Sequence, residues 1–104
     1  MNVTRIERLR KMLELEPDDA FCLYSLGQEH ASAGAHAEAI AWYDRALEAD
    51  PSMSYACYHK ARSLEATGDV EGAIATLRQG LEIARSHGDG KAAGEIQAAL
   101  DELT

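Results

Sequence analysis

The sequence predicts an all-α domain built from a repeated helix pair, and two observations carry that prediction. The 104 residues include only two prolines and are rich in Ala, Leu and Glu, whose side chains lose little rotamer freedom in a helix. One phrase also returns three times at a spacing of 34 residues: Met12–Pro17 (MLELEP), Ala46–Pro51 (ALEADP) and Gly80–Arg85 (GLEIAR). With 46% apolar content, the chain has the length for one domain with a core and is short for two.

Overlaid at that offset, Ile6, Ile40 and Ile74 coincide, as do Leu9, Tyr43 and Leu77, then Leu13, Leu47 and Leu81. Apolar residues at i, i+3 and i+7 form one helical stripe, so this segment recurs as an amphipathic helix. Its first copy is expected over 3–16, capped by Asn2 or by a capping box at Thr4-x2-Glu7. Pro17 and Pro51 end the first two copies, because proline disfavours the helical conformation of the residue before it. Two further helices, about 19–33 and 53–66, align Phe21 with Tyr55, Tyr24 with Tyr58, Gly27 with Ala61 and Gly34 with Gly68. Gly34 and Gly68 sit where glycine stops a helix in the left-handed conformation. Asp69 is expected to cap the helix that follows it, and Ser52 the helix after Pro51. Loops this short force antiparallel neighbours. No proline follows the third phrase, so its helix runs to about Ser86. A last helix, 90–103, gathers Ala92, Ile96, Ala99, Leu100 and Leu103 on one face, with Lys91, Glu95, Asp101 and Glu102 mostly elsewhere.

A helix-turn-helix unit of this length resembles the tetratricopeptide repeat. Leu23-x2-Leu26-Gly27-x2-His30, Gly34, Ala39-x3-Tyr43-x2-Ala46 and Pro51 follow the family pattern, with His30 in place of an aromatic. Cys57-x2-Lys60-Ala61-x2-Leu64, Gly68 and Ala73-x3-Leu77-x2-Gly80 form a looser copy. The resemblance implies a right-handed solenoid of antiparallel helix pairs with about six helices in one domain, 1–104: a half-repeat at 3–16, repeats at 20–53 and 54–87, and a capping helix at 88–104. Small residues at Gly27, Ala61, Ala39, Ala73, Ala46 and Gly80 would let paired backbones approach closely. Arg5 and Met12 stand at the matching positions of the first helix, as expected of a second helix whose partner is absent at the start of the sequence.

Composition excludes several functions. A net charge of −8 disfavours nucleic acid and anionic membrane, which attract Lys and Arg. Two cysteines make no disulfide framework, and no signal peptide or membrane span is apparent; a cytoplasmic protein is expected. Cys57 and His59 point apart on one helix, and His30 and His36 flank a turn. No catalytic residues, cofactor or metal site are therefore expected. His87-Gly-Asp-Gly90 follows a helix rather than a strand and is no phosphate loop. Cys22 and Cys57 read as small apolar fillers, His30 as a hydrogen-bonded core histidine, and Trp42 as either interhelical or an exposed apolar edge.

What remains is a face of the first helices: Phe21, Tyr24, Gln28, Tyr55, Tyr58, His59, Arg62 and Glu65. In the family that this sequence resembles, such helices line a concave surface where partner segments dock. Four rings with polar tips suit a peptide, although Tyr24 and Tyr58 serve equally well to pack neighbouring repeats. The family's capture of C-terminal carboxylates by Lys, Arg and Asn is poorly matched, since Ser25 and His59 stand where an Asn would be useful. Arg62 remains able to pair with one carboxylate, and Lys60 to reach the rim by snorkelling. The expected function is a non-enzymatic module binding a protein or peptide partner, without nucleic acid or membrane. The alternative is self-association as a homodimer or domain-swapped assembly.

Overall fold

The computed structural model describes residues 3–104, and among these the chain forms six helices and no strand. They are α1 (Val3–Leu15), α2 (Ala20–Ser32), α3 (His36–Ala49), α4 (Ser54–Ala66), α5 (Val70–Ser86) and α6 (Gly90–Leu103). Each boundary named from the sequence falls within about two residues of the observed one, the scatter usual for helix ends.

Aspartates cap the starts of α2, α5 and α6. Asp69 Oδ1 accepts from the Gly72 N–H at 2.9 Å, as expected, and Asp19 and Asp89 do the same for Cys22 and Ala92 at 3.1 and 3.0 Å. Ser52 does not cap α4, which starts after Met53 without a side-chain cap. Its N–H and Oγ instead donate to Asp50 Oδ1 at 3.0 and 2.6 Å; the carboxylate closes a turn over Pro51 and takes the hydroxyl that would have capped the helix. Thr4 lies inside α1, already helical at Val3, so the proposed capping box does not start the helix there. The alternative cap, Asn2, falls outside the described residues. The ends of α2, α4 and α5 use glycine with positive φ: 78° at Gly34, 88° at Gly68 and 68° at Gly88. The N–H after each glycine then returns to a carbonyl five residues earlier, Ala35 to His30, Asp69 to Leu64 and Asp89 to Ala84, at 2.8–2.9 Å.

Helix packing follows the repeat. The closest partners are α2 with α3 and α4 with α5; α4 then stacks on α3, and α6 stacks on α5 in the same manner. The backbones of α2, α4 and α6 touch in succession, whereas those of α1, α3 and α5 do not approach one another. Helices converging on one side and splayed on the other curve the stack, with α2, α4 and α6 inside. Its shortest dimension, 18 Å, is about two helix diameters.

Small residues make the close contacts. Ala39, Ala46, Ala61 and Ala73 are wholly buried. A Cβ on Gly27 would lie 2.5 Å from Cε1 of Tyr43, and one on Gly80 2.8 Å from the Cβ of Cys57. Arg5 and Met12 are about half exposed; Arg5 pairs with Glu29 of α2 at 2.6 Å, and the Met12 sulfur lies 4.0 Å from Cys22 Sγ. One core cluster joins α4, α5 and α6 through Ala61, Leu77, Leu81, Ala92 and Ile96; another joins α1 to α2 through Ile6, Leu9, Cys22 and Leu26.

Trp42 is settled by this packing: it covers the second cluster, stacks on His30 at 6.3 Å and 9°, and carries the Arg45 guanidinium 4.8 Å over its face. His30 is buried, but not by hydrogen bonding as expected. Its Nδ1 pairs with a Glu38 oxygen at 3.2 Å, yet neither ring nitrogen makes a properly directed hydrogen bond, and the ring instead lies parallel to Trp42. Cys22 and Cys57 fill the core, and burial pushes the Cys57 thiol up to about 11. Lys60, in the register of Leu26, sends its ammonium to Asp44 on α3 at 2.7 Å rather than into the face of the first helices.

These contacts predict opposite effects for one substitution at two helical glycines. Gly27→Ala drives a methyl into a buried ring, and overpacking of about 1–3 kcal/mol outweighs the gain of about 1 kcal/mol in helix propensity. Gly94→Ala meets nothing within 4 Å and keeps that gain. Urea midpoints should fall for the first and rise for the second; a rise in both would contradict the packing.

Candidate functional site

The i, i+3 spacing on α2 and α4 puts Phe21, Tyr24, Tyr55 and Tyr58 on the inner surface. Phe21 and Tyr24 lie 6.5 Å apart, and Tyr24 meets His59 edge-on at 5.6 Å. His59 in turn meets Tyr58 at 5.1 Å and 87°. Beneath them Tyr43 of α3 contacts Tyr24 at 6.0 Å and His59 at 6.3 Å. The rings therefore run as one column across two helix pairs. Half-buried Tyr24 and His59 join repeats within it, while Phe21 is 65% exposed.

Arg62 closes the other end. Its guanidinium lies 5.1 Å over the Tyr58 ring, donates to the Tyr58 hydroxyl at 3.2 Å, and pairs with Glu65 and with Glu102 of α6, each at 3.3 Å. The Tyr58 hydroxyl and both carboxylates hold Arg62 above its ordinary pKa. Ser25 is buried. A carboxylate clamp thus lacks its donors here, since the one guanidinium of the predicted set is already doubly paired. Gln28 is half-exposed on α2, and its backbone carbonyl accepts from Ser32 Oγ at 2.9 Å.

Phe21, Tyr24 and Tyr55 line a groove of about 390 Å³, completed by Asp50, Ser52, Met53, Ser54 and Asp89. The sequence reading missed these last five. Asp89 was within reach, because it stands one 34-residue step beyond Tyr55, itself one step beyond Phe21. Burial pushes the Tyr24 phenol up; burial, then the Glu95 and Asp89 carboxylates, push up that of Tyr55. The Ser52 hydrogen bonds hold Asp50 below the usual carboxylate range. A larger recess, about 580 Å³, is lined by Arg78, Leu81, Glu82, Arg85 and Ser86. All five belong to α5, so it is the open side of one helix without a second wall. Among the described residues no three His, Cys, Asp or Glu side chains converge to hold a metal ion, and no helix is long and apolar enough to cross a membrane.

Packed antiparallel helix pairs repeating at 34 residues, with small residues at the crossings and one inner helix surface, define an α-α solenoid repeat. Comparison with known proteins assigns the repeat: tetratricopeptide repeat profiles match residues 30–100 and 4–54, and the chain belongs to the tetratricopeptide repeat family. It is 35% identical over 98 residues to the TPR repeat-containing protein PA0015 of Pseudomonas aeruginosa, covering 94% of this chain and 93% of that one. It is also 35% identical over 78 residues to the photosystem I assembly protein Ycf3 of Sorghum bicolor, covering 67% of this chain and 45% of that protein. Among solved structures, protein BPP2914 from Bordetella parapertussis superposes with a TM-score of 0.82 at 32% identity, over 94% of this chain and 85% of that one. PcrH, solved in complex with the chaperone binding region of PopD, gives 0.88 at 20% identity, over 94% and 74%; at that identity the likeness is one of fold.

Burial, followed by the nearby Arg62 charge, holds His59 below its ordinary pKa, with Glu95 opposing. The folded chain therefore binds this proton more weakly than the unfolded chain. As pH falls below about 6.5, protonation favours the unfolded state, and stability carried by neutral His59 declines until the folded site itself titrates. Its ring proton resonances should titrate with a midpoint below 6.5, and His59→Gln should flatten the loss of stability between neutral pH and pH 5. A midpoint above the ordinary value would contradict the burial of this ring.

Proposed function

We propose that this protein is a non-enzymatic interaction module that binds a peptide or protein segment across the inner surface of α2 and α4. The observation that carries this reading is the exposed Phe21 ring. A large aromatic left 65% exposed on the edge of a formed groove, in line with Tyr24 and Tyr55, costs hydration in the free protein and gains it back on contact with a partner. Aromatic side chains are the usual anchors of such contacts. Gln28, Tyr58, His59, Arg62 and Glu65 extend the same surface and would adjust specificity. The solved complex of PcrH with a segment of PopD and the assembly role in the name of Ycf3 are in keeping with this class of activity. In this reading 3–16 is the second helix of an incomplete repeat, 20–53 and 54–87 are the full repeats, and 88–104 caps the stack.

A second reading, self-association, is favoured by α1. Leu15 is 86% and Met12 50% exposed, and with Glu16 and Asp19 they line a recess of about 180 Å³, where a helix from another copy would cover them. Sedimentation separates the two readings: a monomer at tens of micromolar removes the second, and a dimer that occludes Phe21 demotes the first.

Phe21 is exposed, whereas Tyr55 is half-buried and packs against the core of α4, α5 and α6, so replacing both by Ala should retain helicity while costing about 1–3 kcal/mol of stability, chiefly at Tyr55. Loss of anchors worth about 2 kcal/mol or more should weaken capture of a partner from a lysate of the native organism at least about thirtyfold. Equal capture by the wild type and by Phe21→Ala/Tyr55→Ala would contradict the proposal.

A further inference from the structure

We infer that the groove between the starts of α2 and α4 receives a Lys or Arg side chain of the bound segment; this rests on the reading of the inner face as a peptide site. Three rings, Phe21, Tyr24 and Tyr55, present aromatic surface to the groove, and two carboxylates, Asp50 and Asp89, stand among its lining residues. No Lys or Arg lines it. Aromatic faces attract a cation through the ring quadrupole, and neighbouring carboxylates add to that attraction while repelling an anion.

Both carboxylates are held in place. Asp50 Oδ1 accepts two hydrogen bonds from Ser52, and Asp89 Oδ1 caps α6 through the Ala92 N–H. These bonds fix both side chains and do not use either Oδ2. Glu95 lies close enough to Tyr55 to act on its phenol, adding a third negative group at the same end. The guanidinium that would neutralise them, Arg62, is held at the opposite end of the face by Tyr58, Glu65 and Glu102. His87 is the basic group that acts on Asp50, and its Nδ1 is 2.9 Å from the Ile83 carbonyl, which ties the ring to its own helix. The face is therefore polar along its length: aromatic and anionic at one end, charge-paired at the other. With a net charge of −8 on the whole chain, long-range attraction also favours a basic segment.

The test uses the full chain, isotope-labelled, and four pools of N-acetylated, C-amidated hexapeptides with a fixed central Arg, Lys, norleucine or Glu and uncharged residues elsewhere. Arg and Lys pools should move the Phe21, Tyr24 and Tyr55 resonances and bind roughly fivefold or more tightly than the norleucine pool, the scale of one exposed cation–π contact with a carboxylate beside it. The Glu pool should bind most weakly. Asp50→Asn/Asp89→Asn keeps the turn and the cap, because an Asn amide oxygen accepts the same bonds; it should bring the Arg and norleucine pools to equal affinity. Asp50→Asn alone, which leaves the backbone cap of α3 (Asp50 N–H to the Ala46 carbonyl) in place and alters no side-chain helix cap, should narrow the difference and carries the test if the double variant loses helicity. Norleucine binding as tightly as Arg at the same rings would overturn this inference and leave the peptide site standing. Pools that move only resonances outside α2, α4, α6 and the groove residues Asp50, Ser52, Met53 and Asp89, or move none, would overturn both. Shifts of Phe21 that grow with protein concentration alone, together with those of Arg8, Arg10 or Lys11 on α1, would assign the groove to a second copy and overturn it as well.

Discussion

The ring of Tyr43 lies against the bare backbone of Gly27, and most of the molecule is arranged around that contact. Because residue 27 has no Cβ, α3 approaches α2 closely enough for a whole phenol ring to fill the space between them. The ring then reaches through to the inner layer, where it supports Tyr24 and His59. One crossing thus sets the distance within the first helix pair, the stacking of the second pair upon it, and the position of the inner aromatic column. Burial drives the Tyr43 phenol far above its ordinary pKa, so the ring stays neutral and serves purely as packing. At the second crossing the roles are exchanged: Gly80 on α5 receives Cys57 of α4 and Ile96 of α6, which draws α6 onto the stack.

The inner face inherits its division of labour from this scaffold. Rings that touch Tyr43 are partly consumed in joining the repeats, while Phe21, a step further toward the start of α2, is not. The charged groups sort in the same way. Arg62 and its carboxylate partners connect α4 to α6, a structural use, whereas Asp50 and Asp89 take part in local turn and cap geometry and still border the groove. Surface ion pairs of this kind contribute little to stability, about 0–1 kcal/mol each. Their effect here is to fix where charge is compensated and where it is not.

The architecture was legible in the sequence because its causes are local and periodic. A 34-residue repeat of apolar positions, glycines at Gly34 and Gly68, prolines after Leu15 and Ala49, and small residues at the crossings each impose their own geometry wherever they stand. The cap of α4 was misread because the Asp50 carboxylate takes the Ser52 hydroxyl, and whether it does so depends on the path of the turn over Pro51. His30 was placed correctly in the core but given the wrong contact, since its stack on Trp42 joins residues of two helices that no single helical period relates. The eight inner-face residues were found from register alone, and the structure brings seven of them into the aromatic column, the Arg62 network or the groove, with Gln28 alongside on α2. The groove's acidic edge was missed because Asp50 and Asp89 come from loops, outside the helical period that guided the search. Lys60 turned away to Asp44 for a similar reason: the pair links α4 to α3, a contact invisible to a one-helix pattern.

The proposed function puts the partner on the inner surface of α2 and α4, which Tyr43 on Gly27 holds in shape. Intermolecular nuclear Overhauser effects in a complex with a bound partner segment test it most directly. Cross-peaks are expected from the segment to the ring protons of Phe21, Tyr24 and Tyr55, with none to the outward faces of α3 and α5. Cross-peaks confined to those outward faces or to α1, with the aromatic column untouched, would contradict it.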